Sequence, residues 1–112
     1  MTEEHKALSR EALELVARRF RCLSDATRLQ IIQAMMNGER SVMDLQSEIG
    51  TSQANISKHL RLLDREGIIA RRKQGNFVFY RIFDKSVFQL CELVCGALQD
   101  QFTIQQSKLD GI

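Results

Sequence analysis

The chain has 112 residues, 27% of them charged and 44% hydrophobic, with no proline and no tryptophan, the size and balance of one small globular domain rather than two. A domain of this length buries ~65% of the surface that its unfolded chain exposes, so neither a disulfide nor a metal is needed to supply a core, and no cofactor is required. The net charge of +2 is unevenly placed: residues 51–82 carry seven basic and two acidic side chains, a balance of +5 that leaves −3 for the remainder. A basic centre between acidic ends points to a polyanion meeting that centre; the plainer alternative is a solvated basic surface. No apolar run approaches the ~20 residues of a membrane-spanning helix, and the opening MTEEHKALSR is charged, so the expectation is a cytoplasmic protein with no membrane partner.

In chain order, Leu8, Ala12, Leu15 and Cys22 fall on one helical line and Leu13, Val16, Phe20 and Leu23 on the next, which predicts an amphipathic helix over 3–21. Ser24 and Asp25 offer caps for a second helix, with Leu29, Ile31, Ile32 and Met35 inward and Asn37 and Gly38 as its stop. Ser41 and Asp44 stand at capping-box spacing ahead of a short third helix, with Val42, Leu45 and Ile49 inward and Gly50 at its end. Thr51 or Ser52 caps a fourth helix, whose buried line is Ile56, Leu60 and Leu63 and which ends at Gly67. Two short helices joined by a glycine turn make a helix-turn-helix over 41–66.

After Gly67 the periodicity changes from helical to extended. Residues 68–73 and 77–82 are β-branched, aromatic and basic runs around the turn triplet Gln74, Gly75 and Asn76, which predicts a hairpin, or wing, over 68–82. Asp84 or Ser86 then caps a last helix over 86–106, with Ser86 and Gln89 at capping-box spacing, and 107–112 are expected to be a frayed tail. The fold class expected is mainly α with a β-hairpin wing: a five-helix winged helix-turn-helix in one domain over 1–106.

The last helix has two apolar lines, Phe88, Cys91, Cys95, Leu98 and Phe102 on one and Val87, Leu90, Val94, Ala97 and Ile104 on the other. That is more than a small winged unit covers, and the first helix has the same surplus. Packing the helices over 3–21 and 86–106 of two chains together buries the excess and predicts a two-fold homodimer; the alternative is a monomer with a thicker core.

An α-helix fits the major groove of B-form DNA, where side chains from its first turns reach base edges. The fourth helix offers Ser52, Gln53, Ala54, Asn55, Ser57, Lys58, His59 and Arg61 for that purpose. Gln53 suits adenine, Ala54 a thymine methyl, Lys58 guanine or phosphate, and Ser52 and Ser57 either phosphate or base. His59 has two readings, one beside the phosphate backbone and one packed on the neighbouring helix. Arg71, Arg72 and Lys73, with Gln74, lead to the wing tip, where cations can lie along the adjacent backbone or minor groove; Arg81 returns on the other strand. Because strands alternate, some of these charges must face away.

The run TSQANISKHLRLLDREGIIARRKQGNFVFYRI resembles the recognition helix and wing of the ArsR/SmtB family of metal- and thiol-responsive repressors, and CLSDATRLQII resembles that family's entry into its second helix. The likeness covers roughly 13–98. It implies a homodimer held by the first and last helices, bound to an imperfect palindrome in double-stranded DNA and released by an inducer. Two of the family's inducer sites have no counterpart here. The zinc-type site in the last helix needs a histidine two positions after an acidic residue, but Asp84 is followed by Ser86 and no histidine occurs after His59; the arsenic-type site in the third helix needs cysteines, and 41–48 contain none.

What remains for sensing is Cys22, Cys91 and Cys95. Cys91 and Cys95, four apart on one helix face, lie ~5 to 6 Å apart at Cβ, too far for an easy disulfide. Three readings stay open: core filling, a soft-metal or arsenite inducer site with Cys22 as third sulfur, and a redox or persulfide switch. No clustered acid/base pair, glycine-rich phosphate loop or C-x-x-C motif is present, so an enzyme is not expected. The competing function classes are a winged-helix module that binds protein instead of DNA and a constitutive DNA-binding regulator with no cysteine sensor.

Overall fold

The computed structural model describes the backbone of residues 6–110 and the side chains of residues 6–103. Among the described residues, five helices, α1 (Arg10–Cys22), α2 (Ala26–Met35), α3 (Val42–Ile49), α4 (Gln53–Arg65) and α5 (Lys85–Asp110), are joined by a three-stranded antiparallel sheet of β1 (Arg40–Ser41), β2 (Ile69–Gln74) and β3 (Phe77–Ile82), in the order β1-β3-β2. The molecule is flat, 51 × 47 × 22 Å.

Local chemistry explains most boundaries. Asp25 takes extended backbone and its carboxylate accepts from the Arg28 amide at 3.0 Å, starting α2. The capping box at α3 is complete: the Ser41 hydroxyl accepts from the Asp44 amide at 3.1 Å, while the Asp44 carboxylate accepts from the Ser41 amide at 3.0 Å. The backbone-amide bond holds the Asp44 carboxyl below its ordinary range. The wing closes through Gly75 and Asn76 alone, because Gln74 pairs with Phe77. Gly75 has φ +60° and Asn76 does not have positive φ, the arrangement of a type II′ hairpin turn, which demands glycine at its first central position.

Three expectations need correction. The first helix begins at Arg10, not near residue 3: Ser9 is extended and its hydroxyl caps the Ala12 amide at 3.1 Å, while 1–5 lie outside the described residues. The last helix begins at Lys85, one residue before the expected 86; of its two candidate caps Asp84 serves, its carboxylate accepting from the Ser86 amide at 2.9 Å and hydroxyl at 2.6 Å, and Ser86 lies inside the helix. That helix continues to Asp110, past the expected end at 106, because nothing between Gln105 and Asp110 breaks a helix; residues 111–112 lie outside the described residues. β1 had no counterpart in the expectations. Arg40 and Ser41 pair with Tyr80 and Phe79, adding an edge strand to the wing.

The core is one cluster, centred on Ile31 and Ile32 of α2, Leu45 of α3, Ile56, Leu60 and Leu63 of α4, Ile68, and Val87 of α5, all buried. Val42 and Ile49 are only half-buried, and Leu29, expected inward, is 38% exposed. α1 enters the core only at its end, through Cys22 and the following Leu23. Two ion pairs anchor it further: Arg18 with Glu66 at 2.6 Å and Arg19 with Asp84 at 2.7 Å. Leu13, Leu15, Val16 and Phe20 of α1, and Leu93, Val94, Leu98 and Phe102 of α5, are left exposed on the single chain. Among the described residues no helix is long and apolar enough to cross a membrane.

Candidate nucleic-acid interface

Four residues form and hold the turn between α3 and α4. Gly50 ends α3 in the left-handed region at φ +82°, where its amide still bonds the Gln46 carbonyl at 2.8 Å. Thr51 and Ser52 follow, and the Ser52 hydroxyl caps α4 by accepting from the Asn55 amide at 3.1 Å. The Asn55 side-chain amide donates to the Thr51 hydroxyl at 3.0 Å. Asn55, expected among the DNA-binding residues of α4, is half-buried and its side chain is engaged within the turn that precedes the helix.

Behind α4, the line Ile56, His59, Leu60 and Leu63 packs inward. Ser52, Gln53, Ala54, Lys58 and Arg61 are exposed, and Ser57 is half-buried. His59 takes the packed alternative of its two readings: it is 7% exposed, and its Nδ1 lies 3.4 Å from the Arg28 guanidinium. A guanidinium only donates, so this contact suits a tautomer whose Nδ1 accepts. Burial is the main cause that keeps the imidazole pKa below its ordinary value; the charges of Arg28 and Lys58 push the same way and Asp25 opposes them. Arg28 itself closes α1, donating to the Cys22 carbonyl at 2.7 Å and the Arg21 carbonyl at 3.3 Å.

In the wing, strand alternation divides the basic run. Arg71 and Lys73 share one face with Val78 and Tyr80, and both are exposed. Arg72 and Gln74 point to the other face and are occupied. Arg72 donates to Glu39 at 2.8 and 3.1 Å and to the Gln74 side-chain oxygen at 2.6 Å, and its guanidinium stacks over Phe79, 5.0 Å from the ring centroid. The Arg72 bond holds the Glu39 carboxyl below its usual range. Arg81 lies on this second face, near enough to add its charge to the effect on Glu39. Sequence reasoning had no access to the Glu39–Arg72 pair, whose members are 33 residues apart. β1 brings them together.

The cysteines divide as well. Cys22 and Cys91 belong to the same buried cluster, while Cys95 is exposed. Burial, and secondly the neighbouring Cys95, pushes the Cys91 thiol above its ordinary pKa. Among the described residues no three histidine, cysteine or acidic side chains converge as a metal site, so the three sulfurs do not come together within one chain.

The sequence pattern of bacterial regulatory proteins of the arsR family matches residues 25–71, from the cap of α2 into β2. A cadmium resistance transcriptional regulatory protein, CadC homolog, of Staphylococcus aureus is 44% identical over 78 residues, 69% of this chain; the chain spans 64% of that protein's length. The HTH-type transcriptional regulator MJ1325 of Methanocaldococcus jannaschii is 36% identical over 85 residues, 75% of this chain and 96% of that one. Among solved structures, the homodimeric winged helix-turn-helix DNA-binding domain of Mb0332 from Mycobacterium bovis, a possible ArsR-family transcriptional regulator, superposes with a TM-score of 0.75 at 29% identity, over 88% of this chain and 94% of that one.

Proposed function

The chain belongs to the arsR family of bacterial regulatory proteins, and from that membership we propose that it is a sequence-specific DNA-binding transcriptional regulator that works as a homodimer. The observation that carries the proposal is the exposed polar start of α4, Ser52, Gln53, Ala54, Lys58 and Arg61, beside a wing face bearing Arg71 and Lys73. α4 lies in the major groove, where Gln53 and Ala54 read base edges and Ser52, Ser57 and Lys58 fix the register. Arg71 and Lys73 meet the flanking backbone. Asn55, His59 and Arg72 contribute by holding the turn, the α2–α4 packing and the wing.

The apolar faces of α1 and α5 are covered by the same faces of a second copy. Their continuity along two helices suits a self-complementary two-fold interface, and the Mycobacterium bovis domain is homodimeric. Two α4 helices then address half-sites of a palindrome about one duplex turn apart, ~34 to 36 Å.

The regulator is a repressor, and its inducer is a thiophilic species such as a soft metal ion, arsenite or reactive sulfur, acting at Cys91 and Cys95. Support comes from the cysteine pair one turn apart on α5 and from the Staphylococcus aureus relative named for cadmium resistance. Cys91 must lose its proton and its core packing to ligate, so ligation draws α5 away from the core and repacks the dimer. Fluorescence anisotropy on a duplex recovered by selection tests both parts. Binding that weakens linearly in log affinity against log salt supports DNA recognition, and a flat response favours a protein partner. Cadmium or arsenite releases the wild-type protein but not Cys91→Ser/Cys95→Ser; equal release of both removes the cysteines from the mechanism.

A further inference from the structure

Next to the exposed face of α4, Arg28 of α2 and Lys58, Arg61 and Arg65 of α4 line one recess of about 320 Å³, completed by His59 and Leu62. Among the described residues no carboxylate lines it. Lys58, Arg61 and Arg65 recur at helical spacing and so project from one side of α4. Arg28 is fixed in place by the carbonyls of Cys22 and Arg21 and by His59. Among the described residues, neither Lys58 nor Arg61 is paired with an acidic side chain, and Arg65 has only a 3.9 Å approach to Glu66, whose carboxylate is held at 2.6 Å by Arg18.

The adjoining recess makes the contrast. It shares Arg28 and Leu62 and adds Arg18, Arg21 and Cys22, but there the chain supplies its own anion, Glu66. The first recess gathers four cations around His59 with no carboxylate in its lining; the nearest acids are Asp25, which caps α2 at the Arg28 amide, and Glu66, held by Arg18. Its volume falls at the small end of the range of ligand pockets. Guanidinium forks match the oxygens of phosphate bidentately, and a dianion offsets more of the convergent charge than a carboxylate does.

We propose that this recess is a phosphate-binding site, in which Arg28, Lys58, Arg61 and Arg65 hold one phosphate group beside the recognition helix. A duplex backbone phosphate flanking α4, with one negative charge, and a free phosphate-bearing molecule, with up to two, present the same oxygens to these donors. The duplex arm rests on the DNA reading above; the free-anion arm stands without it. Arg28 and Arg65 are new to the binding surface, whereas Lys58 and Arg61 connect the recess to the face that meets the groove.

Titration of the full chain with inorganic phosphate, against potassium chloride at matched ionic strength, reads the free-anion arm through the amide shifts of residues 28, 58, 61 and 65. Saturable shifts, weakened roughly tenfold or more by Arg65→Gln, establish a free-phosphate site. The Arg65 side chain is 69% exposed, so this substitution spares the core. If phosphate gives no saturable shift, but Arg65→Gln weakens a selected and an unrelated duplex by the same factor and lowers the salt slope by about one, the phosphate held is the duplex's own. Phosphate no different from chloride, together with unchanged duplex affinity in Arg65→Gln, overturns the site while leaving DNA binding intact. Should the native chain bind no duplex, the DNA reading falls and the phosphate titration alone decides the recess.

Discussion

At the scale of single residues, the side chains that matter sort by what already holds them. Burial holds the His59 pKa below the ordinary value of about 6.5. The unfolded chain therefore binds this proton more readily than the folded one. The stability contribution is fully present above about pH 6.5 and declines as pH falls from there through the lowered folded value. Urea melts at pH 7.5 and 5.5 should show a loss of stability on acidification that His59→Gln reduces; an equal loss in both proteins would place the sensitivity elsewhere. The wing makes a second residue-level distinction. Arg71→Ala and Lys73→Ala should each weaken duplex binding regardless of sequence and lower the salt slope by about one, while Arg72→Ala, whose charge is already matched by Glu39, should change the slope far less. Anisotropy titrations across a salt series read all three.

At the scale of elements, the parts legible in the sequence were those whose signal is local. Ser41 with Asp44, Ser52 before α4, Gly50 after α3 and Gly75 in the wing turn are each read from four residues or fewer and occupy their expected places, whereas Gln74, expected in the turn, belongs to β2 and pairs with Phe77. The inward line Ile56, Leu60 and Leu63 followed from helical period alone. What escaped was non-local or competed with a local signal. β1 is two residues long and exists only through its partners on β3, some 40 residues on, so no periodicity announces it. Leu8 extended the apolar pattern past the true start of α1, but the cap that Ser9 provides terminates the helix there. In the interface, the exposed start of α4 was legible as a polar run, whereas Asn55 and His59 looked equally polar and are withdrawn into the turn and the core. Ser52→Ala, which removes the cap of α4, should lower unfolding free energy by ~1 kcal/mol. Leu45→Ala, at the fully buried contact of α3, should cost roughly 2–5 kcal/mol. Denaturant melts of both variants check the ranking.

At the scale of the whole molecule, the dominant feature is what one chain leaves uncovered. Leu13, Leu15 and Phe20 on α1 and Leu93, Leu98 and Phe102 on α5 are all at least half exposed, so their burial awaits a partner of matching shape. In the proposed homodimer a second copy supplies it, and the spacing of the two α4 helices then becomes a property of the α1–α5 packing. Leu98→Glu, which puts charge into that seam, should shift the protein to monomer in sedimentation velocity and weaken binding to a two-half-site duplex by well over tenfold. Binding to an isolated half-site should change little.

The most direct measurement of the central claim is selection of bound sequences from a random duplex pool. A two-fold dimer should enrich an inverted repeat whose half-site centres stand about 10 base pairs apart, each protected on one side of the duplex. Enrichment of a single unrepeated site, or of none, would contradict it.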